Sequence, residues 1–155
     1  NAADVIVDGD RLFSSTGHGV GCAQFDLSVN PPGVIWQSKS MRNYLNSSVL
    51  WDGSLYGFTE EKRQLMCLDW ESGDVRWSQE GLGQGSLILV DGKLVILGER
   101  GKLVIAEATP EAYRPLAEAE MLSGRCWTAP AFADGRLYAR NATGEVVCVQ
   151  MPRAQ

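Results

Sequence analysis

Few side chains in this sequence have types and spacings that could do chemistry: one histidine, four cysteines, two short acidic clusters and two glycine runs. His18 stands between Gly17 and Gly19. A catalytic histidine needs a carboxylate or nucleophile delivered to it, and none is close in sequence, so an exposed loop histidine is the ordinary reading. Cys22, Cys67, Cys126 and Cys148 contain no Cys-x-x-Cys pair, which argues against structural zinc. Glu60-Glu61 and Glu118-Ala119-Glu120 lack the spacing of a calcium loop and read as solvated charge. Gly17-x-Gly19-x-Gly21 and Gly81-x-Gly83-x-Gly85 lack the strand-to-helix setting that makes a glycine run cradle phosphate. Asn46-Ser47-Ser48 and Asn141-Ala142-Thr143 satisfy the glycosylation pattern, but Asn46 leads into an expected strand.

Composition narrows the classes further. The 155 residues are 45% hydrophobic and 21% charged, with net charge −5. That apolar fraction excludes disorder, and no run reaches the ~20 residues that would cross a bilayer. Lys and Arg total 14 and are scattered along an acidic chain, so nucleic acid is not an expected partner. The first residue is Asn1, with no signal peptide or lipidation motif. An excised or processed segment is expected.

The elements that must position any site announce themselves by repetition. Asp-Gly occurs at Asp8-Gly9, Asp52-Gly53, Asp91-Gly92 and Asp134-Gly135, each time between two short apolar runs. This is the strongest short-range signal for a hairpin on a type I′ turn. Counting on 14 or 15 residues from each Asp reaches Cys22, Cys67, Ile105 and Cys148, on expected third strands. Those three cysteines are expected to be reduced, inaccessible small hydrophobes, too far apart for disulfides. Cys126, beside Trp127, is expected to be a partly exposed free thiol. Trp36 and Trp77 follow on fourth strands, and Pro115 takes that place in the third unit. Four-stranded units of about 40 residues in series are the signature of β-propeller blades. A β-sandwich gives no reason for one turn, one small residue and one Trp to recur in order.

The expected fold is all-β: one partial propeller domain over 1–155, with blades near 3–43, 46–84, 85–126 and 127–155, the last incomplete. The segment from Cys67 to Trp77 resembles the tryptophan-docking repeat of the quinoprotein-like (PQQ-like repeat) propellers, with Leu68, Asp69, Ser72, Gly73 and Trp77 in the pattern. The resemblance implies that Trp36 and Trp77 wedge between blades, and that the chain is the C-terminal half of a seven- or eight-bladed ring. True quinoprotein dehydrogenases add an adjacent Cys-Cys pair and calcium ligands, which this sequence lacks, so neither quinone nor calcium is expected.

What remains is a surface. The rim built from blade-to-blade connections and second-to-third-strand turns would gather His18, Lys62, Arg63, Arg100, Arg125 and Asn141. Trp51 and Trp70 belong to the opposite rim. The function expected is a non-catalytic scaffold that presents rim loops to a protein or polymer, like the interaction propellers of bacterial envelopes. The resemblance alone implies a periplasmic or secreted setting. The alternative is a fragment of a quinoprotein-type oxidoreductase, or of another propeller enzyme, whose active-site residues lie mainly elsewhere. Completion of the ring by a second copy or by a missing half is expected.

Overall fold

Three of the four Asp-Gly steps sit at the centres of two-residue hairpins. Trp51, Val90 and Ala133 face Ser54, Lys93 and Arg136 across these turns. Both central residues have positive φ, for example +44° at Asp52 and +69° at Gly53, as a type I′ turn requires. The first hairpin departs from expectation. Asp8 pairs with Arg11, so the central residues are Gly9 and Asp10, and only Gly9 has positive φ. That is a type II′ pattern, one residue out of step with the other three.

The computed structural model describes residues 3–151, so the ends of the expected first and last units lie outside the described residues. Four antiparallel sheets follow in chain order. The first holds β1 (Ile6–Asp8), β2 (Arg11–Thr16), β3 (Gly21–Asp26) and β4 (Gly33–Ser38); the second β5 (Val49–Trp51), β6 (Ser54–Thr59), β7 (Gln64–Asp69) and β8 (Val75–Gln79). The third holds β9 (Ser86–Val90), β10 (Lys93–Leu97), β11 (Lys102–Glu107) and β12 (Pro115–Glu120). The fourth has β13 (Ala131–Ala133), β14 (Arg136–Arg140) and β15 (Val146–Gln150). Among the described residues there is no helix, and so none long and apolar enough to cross a membrane.

Equivalent backbone bonds fix the register between units. Leu27, Trp70, Ala108 and Met151 each donate their N–H to the second residue of their own hairpin, at Asp10, Gly53, Gly92 and Gly135. A β-bulge recurs between third and fourth strands at Gln24/Phe25, Cys67/Leu68 and Ile105/Ala106. This register corrects two expectations. Gln24, not Cys22, is the counterpart of Cys67, because Gln24 pairs with Phe13 and Trp36 as Cys67 pairs with Tyr56 and Trp77. Ala117, not Pro115, stands opposite Ile105 in the Trp position.

Side chains alternate across a strand, so each inner sheet offers an apolar face to both neighbours. Phe13, Cys22 and Trp36 meet Leu55, Met66 and Leu68 between the first and second sheets. Tyr56, Phe58 and Cys67 meet Leu87, Leu94 and Ile96 between the second and third. Val95, Leu97 and Leu103 meet Leu137 and Ala139 between the third and fourth, in two separate clusters. The first strands approach one another, as β5 and β9 do, while the fourth strands β8 and β12 are largely exposed. Sheets stacked face to face with first strands inward and fourth strands outward are propeller blades, here forming an open arc.

The thiols follow from this packing. All four cysteines are free, with Cys22, Cys67 and Cys126 buried. Cys148 is exposed, contrary to expectation, because it lies on the outer face of the fourth blade, which no blade among the described residues covers. Cys126 is also corrected, from partly exposed to fully buried. Its backbone turns inward to donate to the Glu99 carbonyl at 2.7 Å, which seats the thiol beside Leu97, Leu122 and Ala139.

Candidate functional site

In the second, third and fourth blades the turn between second and third strands is tied to the connection that precedes the blade. Glu60, Glu99 and Ala142 donate backbone N–H groups to the carbonyls of Arg42, Leu82 and Arg125 at 2.8–2.9 Å. The same bond at three blades holds turns and connections as one rim. Backbone groups satisfied this way leave the side chains of the turns free to face outward.

Glu99 organises the centre of this rim. Its carboxylate accepts the Gln84 backbone N–H at 3.1 Å and the Trp127 indole N–H at 3.3 Å, with Arg63 3.7 Å away. The Gln84 bond, then Trp127 and the charges of Arg63 and Arg125, hold the carboxyl below its ordinary range against partial burial. Glu99 is therefore anionic at neutral pH, the opposite of what a general acid requires. The Arg125 guanidinium lies 4.4 Å from the centre of the Trp127 ring, a cation–π arrangement. Glu60 plays a related part in the preceding unit, accepting the Gly19 N–H at 3.2 Å.

Two neighbouring hollows open over these residues. One, of about 440 Å³, is lined by Arg42, Tyr44, Glu61, Arg63 and Trp127. The other, of about 620 Å³, is lined by Arg63, Glu99, Arg100, Glu120 and Arg125. Arg63 borders both and is 63% exposed along its side chain, whereas Arg42 is held by Glu61 at 2.5 Å. Tyr44 and Trp127 are large aromatics left 38% and 37% exposed. Exposed aromatics beside arginines are the composition of protein-binding hot spots.

The residues expected from sequence divide into three groups. Lys62, Arg63, Arg100 and Arg125 line hollows on this rim. His18 is exposed and meets Tyr44 edge to face at 5.2 Å, which puts it at one end of the rim. Asn141 is buried, and its side chain is spent on its own turn and on the connection that precedes the blade. The amide donates to Ser123 O and Glu145 Oε2, and its oxygen accepts from the Thr143 and Glu145 backbone. Asn46 is likewise buried and donates to Gly85 O at 2.8 Å. Arg42, Tyr44, Glu99 and Trp127 are site residues that sequence reasoning missed. Glu99 was signalled only by its place in a turn equivalent to that of Glu60, and Trp127 by an aromatic beside a connection.

At the blade seams, the Trp36 indole donates to Trp70 O at 3.0 Å and the Trp77 indole to Thr109 O at 2.9 Å, each in the following blade. On the opposite rim Trp70 is buried, while Trp51 is exposed and lies over the Gly92 turn of the next blade. Among the described residues no three His, Cys, Asp or Glu side chains gather as metal ligands, and no adjacent cysteine pair exists.

No family model and no curated protein matches the sequence. Solved structures do match. BamB from Moraxella catarrhalis aligns over 96% of this chain and 43% of its own, with TM-score 0.76 and 16% identity. The computationally designed Ika4 protein aligns over 98% of this chain and 94% of its own, with TM-score 0.73 and 11% identity. A europium-containing methanol dehydrogenase aligns over 74% of this chain and 24% of its own, with TM-score 0.58 and 16% identity. The chain thus spans less than half the length of BamB. Its fold is that of a β-propeller, present as an open arc of four blades.

Proposed function

We propose that the chain is a binding propeller that holds a polypeptide on the rim between Tyr44 and Arg125 and performs no chemistry there. The observation that carries this reading is Trp127: an exposed indole pinned by Glu99 and covered by Arg125, lining one of two hollows that share Arg63. A pre-ordered aromatic loses little freedom on binding, and the arginines around it donate to carboxylates or carbonyls in fixed geometry. The likeness to BamB supports a periplasmic or secreted setting, as does the resemblance of the repeats to envelope propellers. The partial likeness to a methanol dehydrogenase favours a second reading, a fragment of a quinone-dependent oxidoreductase; under it the Glu99 rim would have no ligand.

A photo-reactive amino acid placed at Tyr44, and separately at Trp51 on the opposite rim, tests this in cells of the source organism. The binding reading expects a discrete protein adduct from position 44 and none from position 51. Adducts from 51 alone, or from neither, would overturn it. Dye reduction, with quinone and calcium supplied, by a longer protein that carries this arc would establish the second reading instead.

A further inference from the structure

Three residues hold one position on successive connections of the rim. Arg42, Leu82 and Arg125 accept the equivalent backbone bonds from the turns of the second, third and fourth blades, and two residues beyond them stand Tyr44, Gln84 and Trp127. All three line the same hollow of about 440 Å³, with Gln84 between the two exposed aromatics in blade order. The connections are tied to one another beside this row, because Asn46 donates to Gly85 O at 2.8 Å and Ser86 Oγ to Thr128 O at 3.2 Å. The backbone of Gln84 is held as well, through its N–H on Glu99. Its side chain is not. Gln84 is 5% exposed, yet among the described residues its side-chain amide has no hydrogen-bond partner. Asn43, Asn46 and Asn141, buried on the same rim, each donate to a backbone carbonyl. Buried amides are nearly always paired, and the unpaired one lines the hollow.

We infer that Gln84 holds the main chain of a bound polypeptide: its side-chain amide pairs with the N–H and C=O of one residue in an extended segment lying between Tyr44 and Trp127. This rests on the rim reading above and adds to it the conformation of the ligand and the atoms that hold it. A carboxamide carries donors and an acceptor on one planar group. In an extended chain the N–H and C=O of one residue point to the same side, which is how paired strand residues exchange both their bonds. The glutamine amide fits that pair, its N–H donating to the carbonyl and its oxygen accepting the N–H. The interior of a helix offers no such pair, because those groups already bond one another. Apolar side chains of the segment rest on Tyr44 and Trp127. A carboxylate meets Arg63, which lines the same hollow and is exposed. Main-chain bonds of this kind supply affinity with little regard to sequence, while the aromatics and Arg63 set the preference for apolar and acidic side chains.

The probe is a linear peptide selected from a random displayed library against the immobilised chain and weakened by Trp127→Ala. Its backbone amides are replaced one at a time by esters, which removes each N–H with little change of shape. The expected result is one interior position where the ester weakens binding to the wild-type chain by roughly tenfold or more, the effect of leaving a buried acceptor unpaired. Gln84→Met keeps the length of the side chain and removes its amide. It should weaken the parent peptide by a similar factor and make the ester at that position nearly silent; Gln84→Leu serves if Gln84→Met fails to fold. A parent peptide that binds these variants as tightly as wild type, while still losing affinity with Trp127→Ala, would overturn the inference and leave the rim reading standing. An ester series with no sensitive position would do the same. Failure to select any peptide that depends on Trp127 would overturn both.

Discussion

The indoles of Trp36 and Trp77 do the same work in consecutive seams, each donating to a carbonyl of the next blade while its ring fills the space between sheets. Trp77 also packs against Tyr56 and Tyr113 at 5.9 and 6.0 Å. Trp77→Ala is expected to cost about 3 kcal/mol, the lower end of the range for buried Trp because the ring is half-buried. Trp77→Phe should keep most of the packing and lose about 1 kcal/mol through the unpaired Thr109 carbonyl. Urea unfolding reads both; an unchanged midpoint for Trp77→Ala would refute the seam role. Gly73 tests the neighbouring seam, since its φ of +75° suits glycine and a Cβ there would lie 2.5 Å from the Trp36 ring. Gly73→Ala should therefore destabilise more than an exposed-loop substitution would. The thiols give a further check. Burial pushes Cys67 up to about 11 and raises Cys22 and Cys126 as well, so all three should resist a thiol reagent at pH 8 without denaturant. Labelling of any of them in the folded protein would contradict the register described above.

The hairpins were the most legible elements, because Asp-Gly flanked by apolar runs specifies a turn locally. Where local sequence allowed two turns, as in Asp8-Gly9-Asp10, strand pairing chose between them: seating Phe13 and Trp36 against the second blade required Arg11 opposite Asp8. Counting from Asp8 therefore misplaced Cys22 by two residues and hid Gln24, which donates to Trp70 O from a buried position. The Trp127 site was illegible for a related reason. It is assembled from three units, and nothing local links Glu99 to Arg63 or Trp127. The turn between β7 and β8, by contrast, is wholly local. Asp69 accepts Glu71 and Ser72 N–H groups and pairs with Arg76 at 2.5 Å. Arg76 first, then Ser72, holds its carboxyl below the ordinary 3.8. Because the folded value is depressed, this contribution is complete above the ordinary value and is lost as pH falls through the folded one. Asp69→Asn should shallow the acid limb of a stability–pH curve, leaving its neutral and alkaline limbs parallel to the parent's. An unaltered acid limb would show that the turn carries no charge-dependent stability.

At the scale of the molecule, the four blades turn one rim into a continuous surface because the same backbone bond recurs where each connection meets the next turn. That continuity sets Arg63 beside Trp127 and Arg125, although it comes from a different unit. Electrostatics there is mixed, not uniformly basic, which suits a polypeptide carrying both apolar and acidic side chains better than a phosphate backbone. The most direct measurement uses peptides selected from a random displayed library against the immobilised chain, with affinities compared across three variants. The account predicts that Trp127→Ala and Arg63→Ala each weaken binding by about 30-fold, the loss typical of a hot-spot truncation. Trp51→Ala, on the opposite rim, should leave it unchanged. Peptides that lose affinity with Trp51→Ala and ignore both rim variants would contradict the assignment of this surface.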